Sequence, residues 1–548
     1  MWSFRLDLLP FFCYTKTMEN QGEIRSSSAE NNEALQARCL QLEQQVQELM
    51  IRLQWYEAQF RLHQHQRFLP SSEKTQEPLP LFDEAEKEAP SPRKEPPTET
   101  ENITYTRKKT PGQRELLMED LPVERIDYTL PEKDRVCPQC QGTLHPMSTS
   151  VRKELIVIPA QVKVREHVQH SYACRYCQQH ALNTPIVAAP LPVPVISGSY
   201  VSPSLLASIM CRKYEEALPL YRQEHQFQHQ GLEISRQTMA RWMIEGSQRW
   251  LALLYERMQE ILRMMDILHA DETELQVLRE EGRSAARKSY MWHYASGACE
   301  LPIALYEYQT TRAHKHPDAF LKGFKGYLHT DGYAAYHPLA SITVVGCWAH
   351  ARRKFTDALK SLPSESTAPS SAHTLTEEGL AYCNRLFAIE QELKDLSPEE
   401  RYLARKKALQ PVMEAFHAWL MKTRKQALPK APLGRAVAYC LSQWPYLERV
   451  LLDGRLELSN NRAERGIKPF VIGRKNWLFS NTPRGAQASA IIYSMVETAK
   501  RNGLIPFHYL SYLFEQLPQL QGNDPALLEA FLPWSKTLPE NCYCKAKS

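Results

Sequence analysis

Two aspartates close apolar, strand-like runs. Asp271 ends Ile267-Leu-His-Ala-Asp-Glu-Thr273, and Asp331 ends Gly326-Tyr-Leu-His-Thr-Asp before a Gly. Carboxylates at neighbouring strand ends are a simple way to hold Mg²⁺, which takes hard oxygen ligands in near-octahedral geometry. Two such ions about 3.5–4 Å apart activate the attacking oxygen and stabilise the leaving one in phosphodiester chemistry. Asp-Gly is also an everyday turn, so two aspartates need a third ligand. Glu464 supplies a candidate, in Leu458-Ser-Asn-Asn-Arg-Ala-Glu464-Arg-Gly. Ser459 or Asn460 is expected to cap a short helix with Glu464 in its first turns, where the dipole tolerates negative charge.

The same segment is basic. Ser459 to Asn502 holds eight cations (Arg462, Arg465, Lys468, Arg474, Lys475, Arg484, Lys500, Arg501) against Glu464 and Glu497, while the whole chain has a net charge of only +5. Trp477 and Phe479 lie among them, beside Gly473 and Gly485. Phosphate-pairing charge, stacking surface and close backbone approach suit nucleic acid; a solvated basic face fits so many aromatic and small residues poorly.

A second constellation is Cys137-Pro-Gln-Cys140 and Cys174-Arg-Tyr-Cys177. Two thiolate pairs on tight turns converge on one tetrahedral Zn²⁺, which supplies folding energy that a small core lacks. The 33 residues between the pairs exceed the usual spacing. The alternative, redox or incidental cysteines, lacks the thioredoxin-like pattern that would accompany it. Leu155 to Ile158 and Val162 to Val168 read as two strands between the pairs. Cys347 and His350 stand at CxxH spacing but offer only two ligands, which favours a packing or DNA-positioning role. His269, beside Asp271, reads as a strand residue and not as a ligand.

Elements must position these groups, and the chain divides accordingly. Residues 1–30 read as a disordered N-terminus, and Met18 is a candidate true start, making residues 1–17 an upstream extension. Residues 31–69 form a coiled coil whose seam runs Leu35, Cys39, Leu42, Val46, Leu49, Leu53, Tyr56 and Phe60 in steps of four and three. Residues 70–115 are a Pro-rich disordered linker, and 116–185 are the zinc-binding domain. Residues 197–264 are helical. Ser235, after a Gly-containing turn, caps a helix bearing Arg236, Gln237 and Arg241, with Met239 and Trp242 as anchors; this looks like a helix-turn-helix recognition helix, and a plain connector with a solvated basic face is the alternative. Five candidate strands follow: the two ending in aspartate, a hairpin of Ser289 to Ala295 and Pro302 to Tyr308, and Ile342 to Trp348. Residues 356–455 read as a helical insertion, with periodicity over Gly379 to Leu396 and Pro398 to Thr423, and 511–548 as a C-terminal element. The fold class is multidomain α+β.

Five motifs then carry a specific resemblance: His269-Ala-Asp-Glu-Thr273, Leu328-His-Thr-Asp-Gly-Tyr-Ala-Ala-Tyr336, Gly346-Cys-Trp-Ala-His-Ala-Arg-Arg-Lys-Phe355, Ser459-Asn-Asn-Arg-Ala-Glu-Arg465 and Gly473-Arg-Lys-Asn-Trp-Leu-Phe479. Together and in this order they resemble the transposases of the insertion-sequence-66 family, from the heptads through the paired cysteines to Leu532-Pro-Trp534. The resemblance implies a DDE transposase: a ribonuclease-H-like α/β core over 265–355 and 456–510, interrupted by the helical insertion. Asp271, Asp331 and Glu464 would hold Mg²⁺ or Mn²⁺ for strand cleavage and strand transfer at the element's ends. DNA is the implied partner, with self-association through the coiled coil and accessory proteins of the same element. Glu272 and Glu457 are rival acids; Glu272, next to Asp271 on a strand, is expected on the opposite face.

Charged residues at 24% and hydrophobic ones at 43% exclude a wholly disordered chain. No run of about 18 apolar residues occurs, so no transmembrane helix is expected. Asp7 and Pro10 interrupt the N-terminal apolar patch, arguing against a signal peptide. Thirteen cysteines, most of them scattered, point to a reducing cytoplasm. Two other functions compete: a zinc-dependent DNA-binding protein without catalysis, and a nuclease without strand transfer. All three acids being present opposes the first, and the coiled coil with two DNA-binding modules opposes the second. Protein purified without chelator is expected to carry at least one zinc per chain by metal analysis; zinc-free, folded protein removes the four-cysteine assignment.

Overall fold

The computed structural model describes Arg38, 41–42, Arg125, 161–173, 186–339, 341–361, 370–520 and 525–544. The four paired cysteines, Leu155 to Ile158 and nearly all of the heptad segment and linker lie outside the described residues. The chain forms two units, residues 92–189 and the remainder.

In the smaller unit β1 (Ser171–Ala173) pairs antiparallel with β2 (Ile186–Ala188). The strand expected at Val162 to Val168 is not there. Those residues join no ladder among the described residues, and Val162, Val164 and Val168 are all exposed. Alternation makes a strand only where a ladder partner and a face to bury exist, and the pairing falls a few residues later.

The larger unit begins with helices. Ser202 caps α1 (Pro203–Tyr214) by accepting from Leu205 N, with Pro203 in the first turn. α2 (Leu220–His229) leads through Gly231, at φ +77°, to α3 (Arg236–Gly246), which Ser235 caps by accepting from Thr238 N. A π-helical turn, Ser247–Leu251, continues the rod into α4 (Ala252–Arg263). Met239 and Trp242 are fully buried against Leu206, Ile209 and Met210 in one core. Arg236, Gln237 and Arg241 lie on the exposed face of α3.

Five strands make one mixed sheet: β3 (Ile267–Gln276), β4 (Lys288–Ser296), β5 (Ala304–Gln309), β6 (Tyr327–His329) and β7 (Thr343–Val345), in the order β5-β4-β3-β6-β7. The first three are antiparallel neighbours; β3, β6 and β7 run parallel. A short α5 (Lys315–Phe320) lies between β5 and β6. β3 continues five residues past Asp271, so this aspartate is mid-strand and not at a strand end. The strand starting at Ile342 stops early, since Trp348 already begins α6 (Trp348–Lys360).

The insertion is helical: α7 (Ser370–Glu392), α8 (Pro398–Ala404), a π-turn Arg405–Leu409, α9 (Gln410–Arg424) and α10 (Pro432–Leu447). Trp348, Phe355, Phe416 and Leu420 centre its own core. Arg405, 1% exposed, pairs with Glu390 and donates to the carbonyls of Val450, Asp453 and Leu456 at 3.1, 3.0 and 2.7 Å. A buried guanidinium must satisfy its donors, and this one does so by fixing the chain that returns to the sheet.

That chain enters α11 (Asn461–Trp477), followed by α12 (Pro483–Arg501) and α13 (Pro506–Gln516). α11 has 17 residues; it is not the short helix expected. α12 closes the free edge of β5: Ser494 Oγ accepts from Tyr306 N at 2.8 Å, and Thr498 Oγ1 from Ala304 N at 3.0 Å. Alternate strand N–H groups and residues four apart on a helix repeat at nearly the same spacing, so the two match.

α11 approaches the sheet at Gly466. A Cβ there would stand 2.0 Å from His293 Nε2 and 2.7 Å from Arg501 Nη2, and Tyr306 donates its hydroxyl to the Gly466 carbonyl. Gly466→Ala is therefore expected to lift α11 and cost about 1–3 kcal/mol through overpacking, read as a lower urea midpoint at unchanged slope; a midpoint equal to wild type contradicts this packing.

Candidate active site

The parallel ladder sets the acids. Its last pair is His269 with His329, so Asp271 and Asp331, each two residues on, stand at one level. Carboxylate oxygens of Asp271, Glu272 and Asp331 lie within 4.8 Å of one another. Asp271 Oδ1 accepts from Glu272 N at 2.9 Å, and Asp331 Oδ1 from Tyr333 N at 3.0 Å, a local turn that holds the side chain.

Glu272 takes the face that strand alternation gives it: its β4 partner Trp292 packs against Tyr336, whereas His293, the partner of Asp271, lies under Gly466 of α11. β6 pairs with β3 only as far as His269, and at that open edge the Glu272 carboxylate still comes within 4.8 Å of those of Asp271 and Asp331. There Arg312 Nε donates to Oε1 at 2.7 Å and the Tyr336 hydroxyl to Oε2 at 2.5 Å. Arg312 also lies over the Tyr333 ring, 3.6 Å from its centroid.

Glu464 falls into an adjoining group. Its ligand atoms cluster with Cys347 and His350; His350 Nδ1 is 3.4 Å from Oε1 and Arg353 Nη2 3.8 Å from Oε2. Glu464 still acts on Asp271. Burial first, then Glu272, Asp331 and Glu464, hold the Asp271 carboxyl well above the usual carboxylate range. Burial and Asp331 raise Glu272 against the opposing Tyr336 and Arg312.

Asn460 precedes α11, yet its side chain makes no cap bond. It is spent on the sheet: Oδ1 accepts from His269 Nδ1 at 3.0 Å and Nδ2 donates to Ala270 O at 2.9 Å, while its backbone N donates to Cys347 Sγ at 3.2 Å. His269 stacks on His329 at 4.4 Å, and burial, followed by Arg462, pushes its pKa down to about 3. This neutral ring is a strand residue, outside both acid groups.

The basic segment is only partly exposed. Arg465 and Lys475 are exposed and Lys468 half-buried on the outer face of α11. Arg462 pairs with Glu457 at 2.8 Å, Arg474 reaches Thr273 Oγ1 at 3.3 Å, and Arg484 donates to Gln248 at 3.1 Å. Trp477 is not the open stacking surface expected: it packs edge-on against Phe470 under the Lys213 ammonium. Gly473 makes room for the Tyr493 hydroxyl, which is internal packing and not an approach to DNA. Phe479 remains 43% exposed. Sequence reasoning missed Arg312, which lies in a loop without periodicity, and Tyr336, although that tyrosine ends one of the motifs.

The acids suit a hard divalent cation. Three oxygen-donor side chains converge where burial and mutual repulsion drive Asp271 toward its neutral form, and a cation would reverse both effects.

Comparison with known proteins agrees with this geometry. Residues 198–488 match the "Transposase IS66 family", 134–178 the "zinc-finger binding domain of transposase IS66", 494–534 the "IS66 C-terminal element", and 55–126 the "Transposase C of IS166 homeodomain". The chain belongs to the IS66 transposase family. The zinc-finger match spans all four paired cysteines and supports structural zinc. Three relatives in Sinorhizobium fredii are uncharacterized proteins: y4jD is 30% identical over 75% of this chain and 80% of its own, y4qI 32% over 75% and 76%, and y4hP 28% over 76% and 75%. No helix among the described residues is long and apolar enough to cross a membrane.

Glu272 offers a stability test. Arg312→Ala leaves its buried carboxylate without a counter-ion and is expected to cost about 1–3 kcal/mol, less than a fully buried pair because Arg312 is partly solvated. Adding Glu272→Gln should restore part of that loss in thermal melts; a purely additive double variant counts against the coupling.

Proposed function

We infer that this protein is a metal-dependent DNA transposase that binds the ends of its insertion sequence and performs strand cleavage and strand transfer. The observation that carries the reading is the shared level of Asp271 and Asp331 on parallel neighbours; Glu464, on the helix that follows the insertion, supports it by being close enough to raise the Asp271 pKa. Three antiparallel strands continued by two parallel ones, with acids on the central strand and its parallel neighbour, support a ribonuclease-H-like core.

Asp271, Asp331 and Glu464 would hold Mg²⁺ or Mn²⁺. When bound, such ions supply Lewis-acid activation of a water or a 3′ hydroxyl and stabilise the leaving oxygen. The protein's own work is placement. The Asn460 bridge fixes the start of α11 against β3, and with it Glu464. Arg312 and Tyr336 hold Glu272 at the edge of the cluster, which makes it a positioning acid. Exposed Arg465 and Lys475, with half-buried Lys468, are placed to pair with phosphates beside the acids, and Arg462, Arg474, Arg484 and Trp477 to shape that surface from their internal contacts. Arg236, Gln237 and Arg241 form a second DNA contact on α3. Cys137, Cys140, Cys174 and Cys177 are the zinc ligands. Residues 31–69 associate copies as a coiled coil, and accessory proteins of the element complete the assembly.

The test is cleavage and joining of a labelled terminal-repeat duplex with Mg²⁺, accessory proteins supplied. Asp271→Ala, Asp331→Ala and Glu464→Ala are each expected to lose at least about 100-fold in rate while still binding the duplex. Activity surviving in Asp271→Ala but lost in Glu272→Ala overturns the triad. Binding by wild type with neither cleavage nor joining favours a DNA-binding protein without catalysis.

A further inference from the structure

Spacing alone gave Cys347 and His350 two donors, too few for a metal. The fold changes that count. Cys347 is the N-cap residue of α6, His350 lies in its first turn and Glu464 in the first turn of α11, and one ligand atom from each lies within 4.8 Å of the others. His350 Nδ1 is buried without a hydrogen-bond partner, 3.4 Å from Glu464 Oε1. That is the separation of two donors sharing a tetrahedral ion, about 3.4 Å for bonds near 2.0–2.1 Å. Arg353 takes the other carboxylate oxygen.

We propose that Cys347, His350 and Glu464 form a second metal site, selective for Zn²⁺ over Mg²⁺, which withdraws Glu464 from the catalytic acids when filled. Thiolate and imidazole are soft or borderline donors that suit Zn²⁺, whereas Mg²⁺ prefers oxygen alone. Charge favours it too: a dication with one thiolate and one carboxylate is neutral, the form a buried position tolerates. Backbone N–H groups of Asn460, His350 and Ala349 are aimed at the Cys347 sulfur. Binding exchanges the thiol proton, released to solvent, for the metal, and those N–H groups already suit the thiolate. Metal binding needs only the three donors; the inhibitory consequence rests on the transposase reading.

The full-length protein is titrated with Zn²⁺ and bound metal is measured at saturation. Wild type is expected to take up one equivalent more than Cys347→Ser or His350→Ala, the second variant serving if the buried cysteine change impairs folding. Co²⁺ in place of Zn²⁺ should give a thiolate-to-cobalt charge-transfer band that Cys347→Ser weakens. Equal uptake by wild type and both variants overturns the site. In Mg²⁺-dependent strand cleavage, Zn²⁺ should inhibit wild type at concentrations about 10-fold below those needed for His350→Ala. Extra uptake with undiminished cleavage retains the metal site and overturns its inhibitory role. Wild type that cleaves under no condition sinks the transposase reading and leaves the uptake result standing.

Discussion

Asn460 is the joint on which the acid cluster depends. Its side-chain amide spans His269 and Ala270 on β3, and its backbone N–H reaches the sulfur that begins α6, so one residue ties together three segments far apart in sequence. All of these groups are buried. A neutral hydrogen bond contributes only about 1 kcal/mol net, but a buried partner left unmade costs about 1–3. The arrangement is thus held less by attraction than by the penalty for leaving it. Neutral His269 is part of the device: burial keeps the ring uncharged while Nδ1 donates, so it adds no positive charge to a region built for carboxylates.

A fixed frame is needed because the cluster opposes itself. Burial and the neighbouring carboxylates raise the proton affinity of Asp271 and Glu272, and a loose backbone would relax by moving the acids apart. Gly466 permits α11 to lie directly on His293, the β4 partner of Asp271. Arg405 fixes the return path from the insertion to that helix. Arg405 thus serves the site at a distance, through three main-chain carbonyls, while Tyr439 and Gln443 of α10 pack directly on Gly332 beside Asp331.

The chemistry-bearing residues were legible because their types are restrictive. Two aspartates after apolar runs, a glutamate after a capping sequence and a helix entered through Gly231 and Ser235 could all be read from order and spacing. Three-dimensional consequences were not. That the Glu272 carboxylate meets those of the aspartates depends on β6 pairing with β3 only as far as His269, which no local pattern announces. That Trp477 is occupied internally depends on Phe470 and Lys213, the latter on another helix. Asn460 read as a cap because caps are local, whereas its partners lie about 190 residues away.

The sheet's outer rims have a consequence for how copies of this chain can meet. Ser494 and Thr498 occupy the main-chain groups of β5, and on the far side the Val344 carbonyl accepts from Arg449 while Gly346 N donates to Tyr446 O. Bare strand margins invite strands from other molecules. Here both end strands already carry helical partners from within the chain, so the outer margins at β5 and β7 offer little to a strand from another molecule. The one ladder left unfilled is the β3 edge beyond His269, beside the acids, where an opening serves the site.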